Sequence, residues 1–167
     1  MLAAAQEIDK LHLLYGTTEI DDQAVLEAVS DSARYDVYGL VDAALSGDIK
    51  RVERMLLGLR AEGVEPVLIV WALAREIRSI LPMASTVERG TRAEQAVAQS
   101  HVWPKRKPLV IAGLKRHNLQ SWQDLLQHAG KIDRIIKGLM AGNVWDELLQ
   151  LALGVAGVHL FRQQEMA

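Results

Sequence analysis

Residues 63–82, GVEPVLIVWALAREIRSILP, constrain this chain more than any other stretch. Pro66 suits the first turn of a helix, where its fixed φ is helical and its missing N–H is not needed. Residues 67–74 are then apolar at every position, whereas a helix lying on a surface carries only an apolar stripe. A segment of about 15 residues spans roughly 22 Å as a helix. It is too short, and too soon charged at Arg75, Glu76 and Arg78, to cross a bilayer. The expectation is a central helix enclosed by neighbours on most sides, with its charged later turns reaching the surface. Gly63 is expected to stop the helix before it and Pro82 to end or bend it.

The flanks supply the neighbours. Leu2, Ala5, Ile8, Leu11 and Leu14 recur at helical spacing, and Gly16 closes that run. A helix opening at residue 2 without a cap points to a preceding part. Asp21 and Asp22 cap a second short helix over 24–29, and Ser30, Asp31 and Ser32 form a polar stop taken as a boundary. Further helices are expected over 35–45, 49–59, 92–99 and 109–117, from Asn118 or Ser121 through 139, and over 144–161. Residues 83–91 are weakly patterned and read as a mobile loop or frayed extension; 102–108 read as extended. No segment alternates at strand length and no hairpin turn lies between β-branched runs. The expected class is all-α, a helical bundle with short connections and antiparallel neighbours.

The totals fit one domain with a core, or one domain and a fragment. Half of the 167 residues are apolar and 24% are charged, the balance of a globular chain. There is no cysteine, which excludes a disulfide framework and thiolate metal sites and suits a reducing compartment. Glu7, Asp9 and Lys10 interrupt any secretory leader, and no run reaches the ~18 apolar residues of a membrane span. The expected place is the cytoplasm, with no membrane partner. Residues 1–48 carry 10 acids and 2 bases, whereas 49–167 carry 11 acids and 17 bases. Residues 95–123 hold no acid at all, yet include Lys105, Arg106, Lys107, Lys115 and Arg116.

Motifs for catalysis are lacking. There is no phosphate-binding loop, no dinucleotide fingerprint, no nucleophile elbow, and no pair of histidines at i, i+4 among His12, His101, His117, His128 and His159. No cofactor, metal or catalytic residue is expected, and the chain is not expected to be an enzyme by itself. The acid-free window stands out because Trp103 and Trp122 sit near its ends. Lysine and arginine neutralise phosphates and an exposed indole stacks on an unpaired base. Trp103, Lys105, Arg106, Lys107 and Arg116 are therefore the candidate DNA-binding residues. The competing reading packs Trp103 into the core and leaves a solvated basic loop. The four tryptophans, at 71, 103, 122 and 145, suit core anchoring.

Three blocks together resemble the delta subunit of bacterial DNA polymerase III. They are Gly63-Val64-Glu65-Pro66 with the helix through Arg78, the run Val102-Trp103-Pro104-Lys105-Arg106-Lys107-Pro108-Leu109, and Asp133-Arg134-Ile135-Ile136-Lys137-Gly138 followed by Trp145-Asp146-Glu147-Leu148. The opening residues 2–11 also resemble the lid-domain helix of that family. The resemblance implies a component of the clamp loader, the five-membered AAA+-like ring that opens the sliding clamp and sets it on primed DNA. Residues 1–32 would be the tail of the AAA+ lid and 33–167 the helical collar domain that holds the ring together. The half that contacts the clamp would lie outside this chain. Implied partners are the gamma/tau and delta prime type subunits, through the collar, and primed DNA near it, in the bacterial nucleoid-associated replisome. Trp103 falls in the matching block and would stack on nucleic acid; an aromatic that some relatives carry shortly before Trp145 is replaced by Met140. Apolar patches for the neighbours are expected on the final two helices. The alternative is a stand-alone helical nucleic-acid-binding module using segment 102–117.

Overall fold

The computed structural model describes residues 31–158, with side chains from Val37 onward. The helices expected within 2–14 and 24–29, and residues 159–167, lie outside the described residues. The chain divides into two compact units, 1–36 and 37–167, and the account that follows concerns the second.

The described elements are α1 (Asp31–Ser46), α2 (Ile49–Ala61), α3 (Pro66–Glu88), α4 (Ala93–Ala98), a 3-10 turn (Pro104–Arg106), α5 (Lys107–Arg116), α6 (Leu119–Ile136) and α7 (Val144–Val155). No strand occurs among the described residues, so the fold is all-α as the periodicity predicts. Side-chain caps start three of the helices. Asp48 accepts from the Arg51 N–H at 3.1 Å, Asn118 from Ser121 at 2.8 Å and Asn143 from Trp145 at 3.1 Å, each satisfying a donor that a helix start leaves without an internal partner.

α3 is the hub. It packs against α4, α5, α6 and α7, and it buries Ile69, Val70, Leu73, Ile77, Ile80 and Met83 along its length. It is enclosed on most sides, as expected, and Val67, Leu68 and Trp71 stay exposed, because four packing neighbours leave one side of a helix uncovered. One expectation about it is corrected: it does not end at Pro82. The helix runs through the proline to Glu88, so 83–91 is mostly helix rather than loop. Pro82 cannot donate to the Arg78 carbonyl, but it lies on the exposed side. Ile80 before it and Met83 and Ala84 after it are buried and hold the helix together. The run 102–108 is likewise not extended; it closes into the 3-10 turn that leads directly into α5.

The remaining helices cover α3 with complementary stripes. α6 contributes Trp122, Leu125, Ala129, Ile132 and Ile135. α7 contributes Leu148, Leu151, Ala152, Leu153 and Val155. α4 is one short turn and a half whose Ala93, Ala96 and Val97 are buried between α3 and α5. A methyl at Gly113 of α5 would stand 3.3 Å from both Leu45 and Trp122, so glycine there lets α5 approach α1 and α6 closely.

Two poles result. Arg60 at the end of α2 lies over the Trp145 ring at the start of α7, 5.7 Å from its centroid. Residues 62–65 lead from α2 into α3, and 137–143 lead from α6 into α7, so four helix ends share that pole. At the opposite pole Arg116 donates to the Leu45 carbonyl at 3.0 Å and the Val155 carbonyl at 3.2 Å. It thereby joins the last turns of α1, α5 and α7.

Candidate nucleic-acid interface

The five candidate residues do not form one surface. Trp103 caps the 3-10 turn: its carbonyl accepts from the Arg106 and Lys107 N–H groups at 2.9 and 3.2 Å. Its indole is 78% exposed, which overturns the packed-core alternative. Pro104 and Lys105 beside it are exposed, and Lys107 is half-buried at the first turn of α5.

Arg106 points the other way. Its Nε and Nη2 donate to Asp42 Oδ1 at 3.0 and 2.8 Å, and its Nη1 to Glu76 Oε2 at 3.1 Å. Burial lowers its pKa, but Glu76 and Asp42 outweigh that and hold it above arginine's ordinary value. The side chain ties the turn to α1 and α3 and so positions Trp103. Its donors are committed to carboxylates, which leaves a phosphate little to gain.

Arg116 sits at the far pole, committed to two helix-terminal carbonyls. It passes between Gly47 and Gly157, with φ of 80° and 96°. A Cβ at either would overlap it, 2.7 Å from its Nη2 and 2.5 Å from its Cδ. Left-handed backbone favours glycine there independently. A cation at the C-terminal ends of α1 and α7 complements both dipoles, while burial lowers its pKa from the usual arginine value. His117 next to it is buried, 2.9 Å by Nε2 from the Val155 carbonyl, and meets Trp122 edge to face at 5.0 Å.

The window that holds no acid in sequence is therefore not free of acid in space. Asp42 and Glu76 reach Arg106, and Glu94 reaches Lys115 at 2.5 Å. Trp103 and Lys105 remain as the exposed aromatic and basic pair, with the half-buried Lys107 beside them.

Other polar groups have structural partners. Glu147 in α7 accepts from Lys131 at 2.6 Å and lies 2.6 Å from His128 Nε2, joining α7 to α6. Burial pushes its carboxyl up, but these hydrogen bonds prevail and hold it below the ordinary glutamate value. Asp133 pairs with Lys137 at i, i+4, and Glu76 pairs with Arg106. A cleft of about 450 Å³ lies between Ala84, Val87 and Glu88 of α3 and residues 114–119 and Ser121. No group of three His, Cys, Asp or Glu able to hold a metal occurs among the described residues, and no helix there is long and apolar enough to cross a membrane.

Among the described residues, the exposed large apolar side chains on helices are Ile49 and Leu57 of α2 and Val67, Leu68 and Trp71 of α3, none of them on α6 or α7; Leu139, which the sequence places at the end of the penultimate helix, and Met140 are exposed in the link from α6 to α7. Trp71 was not legible as a surface residue, since it sits within an unbroken apolar run. The one signal was Arg75 four residues on, whose guanidinium lies 5.3 Å from the Trp71 ring centroid.

Comparison with known proteins bears on this bundle directly. The chain is similar to DNA polymerase III subunit delta of Haemophilus influenzae, 28% identical over 163 residues that cover 93% of this chain and 47% of that protein. It is similar to the Escherichia coli protein of the same name, 29% identical over 154 residues, 92% of this chain and 44% of that protein. The chain thus spans less than half the length of these relatives. The family described as "Processivity clamp loader gamma complex DNA pol III C-term" matches residues 37–161, a span that takes in the whole helical bundle from Val37, and to that family of clamp-loader delta subunits this chain belongs.

Proposed function

We propose that this chain is the C-terminal portion of a DNA polymerase III delta subunit, and that its bundle serves as a collar by which the subunit joins the clamp loader. The match over 37–161 carries the reading, because the shared region is the bundle itself rather than an appended segment. Residues 33–167 are assigned to the collar and 1–32 to the lid. Its partners are then the gamma/tau and delta prime type subunits, and it contributes to replication by holding the ring in which the clamp is opened and loaded on primed DNA. Contact with the clamp belongs to the half of the subunit outside this chain. The chemistry its residues supply is binding, not bond making. Mixing the chain with purified gamma/tau and delta prime type subunits should give co-elution on size exclusion; separate elution at micromolar concentrations overturns the reading.

A nucleic-acid contact at the 3-10 turn is supported by the exposure of Trp103 next to Lys105. The indole offers a stacking face and the lysines neutralise phosphate. Trp103→Ala should weaken binding to a primer–template junction by about 1–3 kcal/mol if a base stacks there. Binding of primed DNA by the chain without partner subunits would favour the stand-alone module, and binding that needs the assembled subunits would favour the collar.

A further inference from the structure

The exposed side of α3 forms a strip that the collar assignment does not explain by itself. Val67, Leu68, Trp71, Arg75 and Arg78 are all exposed and recur at the three- and four-residue spacings of a single helix face. Leu68 and Trp71 are each 48% exposed, which for side chains of this size on the central helix leaves a large apolar area in water. The strip has direction: aliphatic at the pole shared by four helix ends, indole next, and two arginines beyond. No acid lies on it. Arg75 stands over the Trp71 ring at 5.3 Å and, among the described residues, makes only a long hydrogen bond, 3.4 Å, to the Tyr38 hydroxyl. Arg78 has no hydrogen bond or ion pair among the described residues. The nearest carboxylate on the same helix, Glu76, is turned away and held by Arg106.

We infer that this strip docks an amphipathic helix of a partner subunit, apolar along the part that meets Val67, Leu68 and Trp71 and acidic along the part that meets Arg75 and Arg78. The inference rests on the collar reading, and adds to it the surface used and the chemistry of the partner. Charge complementarity selects the occupant: two arginines without carboxylates call for acids, and the aliphatic pair calls for a dry apolar surface. Nucleic acid is disfavoured here, because phosphates would suit the arginines but would leave Val67 and Leu68 uncovered. The indole, partly stacked by Arg75, is a large and rigid anchor of the kind that dominates such contacts.

The test compares three double variants of the full chain in binding to purified gamma/tau and delta prime type subunits, measured by calorimetry or analytical size exclusion. Arg75→Glu/Arg78→Glu should weaken binding about tenfold or more, and the deficit should narrow at high salt. Leu68→Ser/Trp71→Ala should weaken it by a similar factor at every salt concentration. Lys50→Glu/Arg51→Glu, a reversal of exposed charge at the other pole, should bind as the unaltered chain does. All these side chains are exposed, and far-UV circular dichroism and melting temperature report any variant that misfolds. The salt dependence of the unaltered chain tests the charged half of the strip without any substitution, and affinity that does not fall with salt counts against it. If the unaltered chain binds and both strip variants bind equally well, the strip is not the interface while the collar reading stands. If the unaltered chain binds no subunit, the collar reading fails and takes the strip with it. Loss of primed-DNA binding in Arg75→Glu/Arg78→Glu, with subunit binding retained, overturns the proposal in favour of a nucleic-acid surface.

Discussion

Two arginines close together in sequence, Arg106 and Arg116, show how burial decides what a charge is for. Both fall in a basic window, yet each spends its donors inside the molecule, one on the carboxylates of Asp42 and Glu76 and the other on the carbonyls of Leu45 and Val155. Removing Arg116 takes a donor from the Leu45 carbonyl, leaves the Val155 carbonyl with His117 alone, and strips two helix dipoles of their cation. Arg116→Ala is therefore expected to cost about 2 kcal/mol of stability, read as a lower urea midpoint at unchanged slope. Trp103→Ala should by contrast leave the midpoint within about 0.5 kcal/mol, since a surface substitution away from packed features usually does. Both outcomes follow from exposure, which residue type alone does not specify.

Each helix is held to its neighbours by a few identifiable devices. Glu147 pins α7 to α6 through Lys131 and His128. Its carboxyl is held below the ordinary value, so the ionised form is favoured by folding. The stabilisation is complete above the unfolded-state value, about pH 4.3, and is lost as pH falls through the lower folded-state value. Glu147→Gln should cost about 1–2 kcal/mol near pH 7, and the deficit should shrink in acid below about pH 4, a trend that urea melts at several pH values will show. At Pro82, which has no N–H, the hydrogen-bond ladder of α3 lacks one bond. Pro82→Ala restores the donor at an exposed site and should raise stability by about 1–3 kcal/mol, seen as a higher melting temperature.

For the molecule as a whole, the acids of α1, α3 and α4 neutralise much of a segment that looks strongly basic on paper. Of Lys105, Arg106, Lys107, Lys115 and Arg116, only Lys105 and Lys107 have no ion pair to an acid and no side-chain bond to a carbonyl among the described residues. Binding of duplex DNA through this segment should therefore show a slope of log K against log salt of about −1.8, the value for two neutralised phosphates, rather than about −4.5 for five. A titration of affinity over the range from about 50 to about 200 mM salt separates the two.

Local chemistry written into the chain was enough for most of the helices between residues 31 and 158 and for their order. Apolar positions at helical spacing, Asp48, Asn118 and Asn143 at helix starts, and glycine at the stops act over one or two turns and need no distant partner. The central place of residues 66–80 followed from an apolar run that no isolated helix could keep in water. The resemblance of three blocks to the delta subunit likewise rested on residues alone. Other features depend on contacts between residues far apart in sequence. Pro82 stays inside a helix because buried side chains on both sides of it hold the rod together. Trp71 faces out because four neighbours cover only part of α3, and Trp122 faces in because α6 lays its apolar stripe against α3. Arg106 and Arg116 turn inward because acids and carbonyls 30 to 71 residues away come within 3.2 Å of them. Periodicity marks which residues share a face, but which face meets water depends on how many helices arrive to cover it.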